Sequence, residues 1–454
     1  MSIPVVTVGD SRDDLVGGLE RLHGPVSVVR RCSELAELLA ACQSGLARAA
    51  VVAAGSEDLT ASLVDRLSAV GVVVIALTDN PEETSRLQTI GVAAEAHGVE
   101  AAALAARISA AVARLSGPAG RAGPAAEGSP RGVHVGGSAG GSGPGHAADP
   151  GHAQRASGGH ASAARGPTGK GRLIAVWGPA GAPGRTLVAA NIAGELAAEG
   201  QSVLLVDADS YGASVAALLG LLDEAAGLAQ ACRLADQGLL DADALLRIAT
   251  PVATKAGTFR VLTGITRADR WTELRAAALT LVLERAREVA DVTVVDTGFC
   301  LEADEELSFD TGAPRRNAAT LKSLELADTV FAVGTADSIG VPRLVRGLAE
   351  LQAAVPHAAP RVVLNKVRAA AVGRSPERQL RAAWERYGPA ATLSAFLPSD
   401  PAASDAALLS GTLLLESAPE SELRRAIATL VCAPAQRNTK SIVFSSTARR
   451  LSKG

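Results

Sequence analysis

Residues 173–177 read L-I-A-V-W, residues 178–186 G-P-A-G-A-P-G-R-T, residues 187–200 L-V-A-A-N-I-A-G-E-L-A-A-E-G, and residues 203–209 V-L-L-V-D-A-D. This is a buried strand, a glycine-rich turn, a helix, and a second buried strand ending in two carboxylates. A turn of this kind between strand and helix aligns backbone N–H groups at a helix N-terminus, where they can hold a phosphate. The unit predicts an α/β fold and sets the expectation for everything around it.

Outward from it, residues 171–435 continue as strands and helices. Phe259–Leu262, Val292–Val295, Thr329–Val333, Arg361–Leu364 and Thr392–Leu397 are short, β-branched-rich or apolar runs. Helical stretches are expected at Ala225–Leu234, Ala242–Arg247, Trp271–Val289, Leu408–Leu415 and Glu420–Leu430. Strands alternating with helices argue for a doubly wound, mostly parallel sheet.

The front of the chain, residues 1–115, alternates in the same way. Its runs are Ile3–Val8, Val26–Val29, Ala49–Ala54, Val72–Leu77 and Val92–Ala96. Five such units resemble a response-regulator receiver domain. The phosphorylation chemistry of that family is missing. Ala53, Ala54 and Gly55 stand where the phosphorylated Asp belongs, Asp10 is a single acid where a pair holds Mg²⁺, and the Lys expected near Ala94 and Glu95 is absent. The expectation is a receiver-like module that serves in docking or dimerisation.

Residues 116–170 are Gly, Ala, Ser, Pro and His with scattered Arg, including His134, His146, His152 and His160. Such a segment buries too little apolar surface to offset its ordering entropy and is expected as a disordered tether. Residues 436–454 form a polar, basic tail, in which Ile442, Val443 and Phe444 beside Arg449, Arg450 and Lys453 give a short amphipathic stretch open to contact with a membrane surface.

Composition bounds the alternatives. The 454 residues exceed one ordinary domain, and the 48% apolar share permits large cores, though with 2% aromatics they must be aliphatic. A net charge of −3 gives no global drive toward nucleic acid or anionic lipid. Cys32, Cys42, Cys232, Cys300 and Cys432 show neither C-x-x-C nor zinc spacing. The start of the chain lacks the layout of a signal peptide, and no apolar run reaches membrane-spanning length. The expected compartment is the cytoplasm.

The second domain resembles the MinD/ParA group of deviant P-loop ATPases. With its receiver-like front half, the whole chain resembles the CpaE/TadZ branch, which is tied to localising Flp/Tad pilus machinery. That group's loop, G-K-G-G-x-G-K-T, falls on Pro179 through Thr186, and Gly181, Gly184 and Thr186 match it. The resemblance implies ATP and Mg²⁺ as cofactors. The cradle would comprise Gly181, Ala182, Gly184, Arg185, Thr186 and Leu187, with Thr186 and Asp296 holding Mg²⁺, Asp296 partly through water. Asp209, supported by Asp207, would order the attacking water. Asn365, Pro398 and Asp400 would lie at the base.

Departures from the pattern bear on activity. Arg185 replaces the phosphate-gripping Lys, Ala180 replaces the signature Lys that reaches across a dimer, and Pro183 removes a backbone N–H. A lost hydrogen bond to a charged group costs about 1.5–3 kcal/mol, so nucleotide binding is expected to be weakened rather than abolished. Arg315 or Arg316, in the loop after residue 298, is a candidate for the missing charge.

Arg361, Lys366, Arg368, Arg374, Arg378, Arg381 and Arg386 form a basic feature of the kind with which ParA proteins bind DNA without sequence preference, Arg374, Arg378 and Arg381 being expected on one helix face. The functional expectation is an ATP-binding positional switch with weak hydrolysis. It would act as a homodimer with pilus or secretion assembly proteins, recruited to the pole or the inner face of the membrane. The open alternatives are a DNA-partitioning ATPase, a MinD-like division-site regulator and a non-hydrolysing adaptor.

Overall fold

A computed structural model of the chain describes residues 2–9, 15–22, 24–116, 170–221, 225–303 and 314–431. Asp10, the tether histidines, Cys432 and the basic tail lie outside the described residues. The chain divides into two compact units and contains two sheets.

The first sheet has five strands: β1 (Ile3–Val8), β2 (Val26–Cys32), β3 (Ala49–Val52), β4 (Val73–Leu77) and β5 (Ala93–Glu95). They lie in the order β2-β1-β3-β4-β5, with β1–β2, β1–β3 and β3–β4 parallel. This is one of the common doubly wound orders. Helices Leu15–Arg21, Leu35–Gln43, Ala61–Ala69, Pro81–Thr89 and Ala101–Ser116 alternate with the strands as the sequence predicts. Strand β3 is buried throughout and is built from Ala and Val, as a central strand covered on both faces requires.

The second sheet has eight strands: β6 (Arg172–Trp177), β7 (Val203–Ala208), β8 (Thr250–Ala253), β9 (Thr258–Leu262), β10 (Val292–Thr297), β11 (Thr329–Thr335), β12 (Pro360–Val367) and β13 (Thr392–Pro398). The order is β13-β12-β11-β6-β10-β7-β9-β8, parallel except for the β8–β9 edge hairpin. Strand β6 sits centrally, between β11 and β10, so the chain reverses direction across the sheet beside it. Ligands of open α/β sheets bind at such a switch point.

The helix Arg185–Ala198 is buried continuously from Val188 to Ala197. That explains why its sequence is apolar on every side. It packs between the sheet and the last helices, Leu414–Ser417 and Glu422–Val431. Glu195 is carried inside with it and is met by Arg424 through two bonds of 2.6 Å. Gly200, at φ +83°, closes the helix.

Three expectations are corrected. The stretch Trp271–Val289 is a 3₁₀ turn, Ala268–Glu273, followed by a separate helix, Ala276–Val289, because Arg275 is extended at φ −73°, ψ 145°. The stretch Leu408–Leu415 is broken at Gly411, whose left-handed φ of +62° ends the helix Pro401–Ser410. Arg374 does not share a helix face with Arg378 and Arg381: the helix starts at Pro376, after Gly373 turns the chain at φ +113°.

Strand β8, which contains Pro251, is the antiparallel edge of the sheet, where a proline is tolerated. Cys32, Cys42 and Cys232 are buried, and burial pushes the Cys42 thiol up to about 12. Among the described residues no helix is long and apolar enough to cross a membrane.

Candidate functional site

The turn after β6 runs from Gly178 to Gly184. Gly178 packs so closely on β11 that a Cβ there would lie 2.1 Å from the Val333 carbonyl oxygen. Gly181 and Gly184 take φ of +112° and +97°, conformations that favour glycine. Ala182 takes φ +51° without being glycine. Runs of this kind turn successive N–H groups to one side, and the first N–H groups of the following helix have no partner within it. The turn thus has left-handed residues at 181, 182 and 184, with strain stored at Ala182.

The end of one other strand, β12, holds the turn through two neighbouring residues. Asn365, buried at the end of β12, donates Nδ2 to the Pro183 carbonyl at 2.8 Å and accepts from the Lys366 N–H at 2.8 Å. A Cβ on Gly184 would lie 2.5 Å from that Nδ2. Lys366, itself at φ +59°, donates Nζ to the Ala182 carbonyl at 2.9 Å. Asn365, expected to face a base, is engaged with the loop.

The acids gather at the ends of β7 and β10, where Asp207 and Asp296 stand in register on neighbouring strands. Asp207 accepts from the N–H of Asp209 at 3.3 Å and of Val215 at 3.0 Å, so it shapes the loop after β7. Its pKa is raised to about 6 by burial, against the pull of those backbone bonds. Asp209 accepts from the N–H of Tyr211 at 2.8 Å and Gly212 at 3.1 Å through Oδ1, and from Arg185 Nη2 at 3.0 Å through Oδ2. Arg185 also donates Nη1 to the Gly178 carbonyl at 3.0 Å.

Asp296 is fully buried, and neither of its oxygens accepts a hydrogen bond of ordinary geometry. Desolvation and the negative charge of Asp207 hold its pKa well above the usual carboxylate range, although the Thr186 hydroxyl and Arg185 favour its charged form. A buried carboxylate without well-formed hydrogen bonds is costly unless a cation meets it. Among the described residues there is no group of three or more His, Cys, Asp or Glu suited to a metal. A cation here would take few protein ligands, which suits Mg²⁺ with its retained waters better than Ca²⁺ or Zn²⁺. Asp296 and Thr186 fit that role.

Not every expected residue converges. Asp400 caps the helix Pro401–Ser410 through Ala403 N–H at 3.0 Å, and its other oxygen accepts from Ser421 at 2.8 Å. Pro398 pairs with Val367 at the end of β13. Arg316 lies over the Tyr211 ring at 4.1 Å, and Tyr211 donates to Asn317 Oδ1 at 2.9 Å, so the loops after β7 and β10 are stitched together. Arg315 is exposed. In the basic feature, Arg361 and Arg381 lie over Phe331 and Phe396 at 5.0 and 5.1 Å. Sequence reasoning missed the contact of Lys366 with the turn; the usable signal was the position of Lys366 next to Asn365.

No curated protein matches the chain. Among solved structures it is similar to the cell-division ATPase MinD of Pyrococcus furiosus, with 21% identity, 57% of this chain and 97% of that one covered, and a TM-score of 0.43. It is similar to a ParA family ATPase from Chlorobium tepidum, at 18%, 58%, 98% and 0.45 on the same measures. Similarity also extends to cobyrinic acid a,c-diamide synthase of Mycobacterium smegmatis, solved with ADP and magnesium, at 18%, 57%, 91% and 0.39. The family described as the CobQ/CobB/MinD/ParA nucleotide binding domain matches residues 174–411, more than half of the chain, and the chain belongs to that family.

Proposed function

We propose that the chain is an ATP-binding positional switch of the CpaE/TadZ type, which localises pilus or secretion machinery and hydrolyses ATP slowly. The observation that carries this is Asp296: a fully buried acid whose oxygens lack a hydrogen bond of ordinary geometry, beside a left-handed, glycine-rich turn in a family of nucleotide-binding domains. Backbone N–H groups of Gly181, Ala182, Gly184, Arg185, Thr186 and Leu187 hold the phosphates, Thr186 and Asp296 hold Mg²⁺, and Pro398 lies at the base end, where Asn365 and Asp400 act through the turn and the helix they brace. Bound Mg²⁺ supplies charge neutralisation at the phosphates. Asp209, oriented by the loop that Asp207 shapes, positions water, and Arg185 supplies positive charge.

In this reading residues 1–115 are a receiver-like docking module, 116–170 a tether, 171–435 the ATPase and 436–454 a basic tail. ATP favours a homodimer, and the partners are envelope assembly proteins at the pole or inner membrane face.

The test is thermal melting and sedimentation of the full chain with Mg-ATP at millimolar concentration. A ligand bound only to the native state raises the melting temperature. A rise that disappears in Asp296→Ala, with ATP-dependent dimerisation, supports the switch; no rise in the wild type overturns it. A second reading, an adaptor that binds but does not hydrolyse, is favoured by the bond between Arg185 and Asp209, which ties up the residue meant to position water. Binding without any phosphate release would select it. Salt-sensitive binding of random duplex DNA in the presence of ATP would select the partitioning alternative instead.

A further inference from the structure

Three cations reach the phosphate turn, and two of them are already bonded. Arg185 is held by Asp209 and the Gly178 carbonyl, and Lys366 by the Ala182 carbonyl. The third is Arg343, from the first turn of the helix Gly340–Ala354. Its guanidinium lies against the apex of the turn: a Cβ built on Gly181 would be 2.7 Å from Arg343 Nη1. Among the described residues it forms no hydrogen bond and no ion pair.

Arg343 also lines a cavity of about 650 Å³ together with Pro179 and Ala180. Ala180 is the position at which the resemblance predicts a lysine. Its methyl group leaves this space open, and an arginine from another helix borders it. The glycine at 181 is what admits the guanidinium so close to the backbone.

We propose that Arg343 is the phosphate-contacting cation of this chain, taking in cis the charge that a lysine at 180 would bring. It binds the terminal phosphate of a nucleoside triphosphate held on its own turn and so sets the preference for triphosphate over diphosphate. The inference rests on the reading of the turn as an ATP site. Two features favour the terminal phosphate as the target. Among the described residues the guanidinium is bonded to no acceptor, although Glu302 and Glu350 line the same cavity, and its planar fork matches two phosphate oxygens. A diphosphate lacks the third phosphate that the guanidinium would meet.

The test is the affinity of the full chain for Mg-ATP and Mg-ADP, in the wild type, Arg343→Ala, Arg343→Lys and Arg346→Ala. Arg346 is exposed on the same helix and serves as the charge control. Expected for Arg343→Ala is a loss in ATP affinity of about tenfold to a hundredfold, the range of a charge-assisted bond, with ADP affinity changed less than threefold by the same rule. Arg343→Lys restores part of the loss and Arg346→Ala causes none.

Equal loss for ATP and ADP, or an unchanged ATP affinity in Arg343→Ala, overturns the proposal and leaves the ATP site standing. A wild type that binds neither nucleotide overturns the ATP site and this inference together. Because Arg343 is exposed, melting of the ligand-free variants should match the wild type, which separates a binding defect from misfolding.

Discussion

Arg185 and Asp209 form a largely buried ion pair, with Nη2 of one 3.0 Å from Oδ2 of the other and side chains 13% and 7% exposed. The residue proposed to grip a phosphate is thus bonded to the residue proposed to order the attacking water. Under the proposed function, a nucleotide would compete with Asp209 for the guanidinium.

Asp209→Ala therefore frees Arg185. The expected result is a gain in Mg-ATP affinity of about tenfold, near 1.4 kcal/mol, together with loss of any phosphate release. Calorimetry and a phosphate assay on the same preparation check both halves. Unchanged affinity would mean that Arg185 does not move to the nucleotide.

Asp296 gives the pH dependence. Its pKa is raised in the folded chain by burial and by Asp207. The folded state keeps the proton to higher pH than the unfolded state, so this contribution to stability is present at low pH. It is lost as pH rises from the ordinary aspartate range, 3.8, through the raised value. The ligand-free wild type should lose melting temperature relative to Asp296→Asn across that rise. The Mg²⁺-dependent part of ATP affinity should strengthen over the same interval, because a proton must leave before the cation arrives.

Arg424 and Glu195 make a stability prediction away from the turn. Glu195 is 3% exposed in the middle of the helix that follows the turn, and Arg424 is its only charged partner among the described residues. Removing one member of a buried pair leaves an uncompensated charge, at a cost of about 3–5 kcal/mol. Arg424→Ala should therefore unfold at markedly lower urea. The double change Glu195→Leu with Arg424→Met should recover most of the loss.

Ala182 holds a left-handed φ of +51°. That conformation costs a non-glycine residue about 1 kcal/mol or more. Ala182→Gly should stabilise the chain by about 0.5–1 kcal/mol after the entropy of the added glycine is subtracted, measured as a shift in denaturant midpoint at constant slope.

Much of this was legible in the sequence, for local reasons. The runs around Val203–Val206 and Val292–Val295 are buried strands of aliphatic residues, each followed by an acid at the sheet edge, and the structure places them so. The turn was legible because Gly181 and Gly184 mark positive φ. Contacts made at long range were not. Nothing near Arg185 indicates that it turns to Asp209, and nothing near Asn365 that its amide reaches Pro183. Arg343 carries no motif at all, since it sits on an ordinary amphipathic helix. The backbone of Ala182 was hidden because a methyl side chain does not announce a left-handed residue.

The close fit of Gly184 against Asn365, 2.5 Å from where a Cβ would stand, carries a consequence for how such chains diverge. Any substitution at 184 evicts the amide that holds Pro183, and any bulkier group at 365 collides with the turn. The two positions are 181 residues apart in the chain yet can drift only in concert.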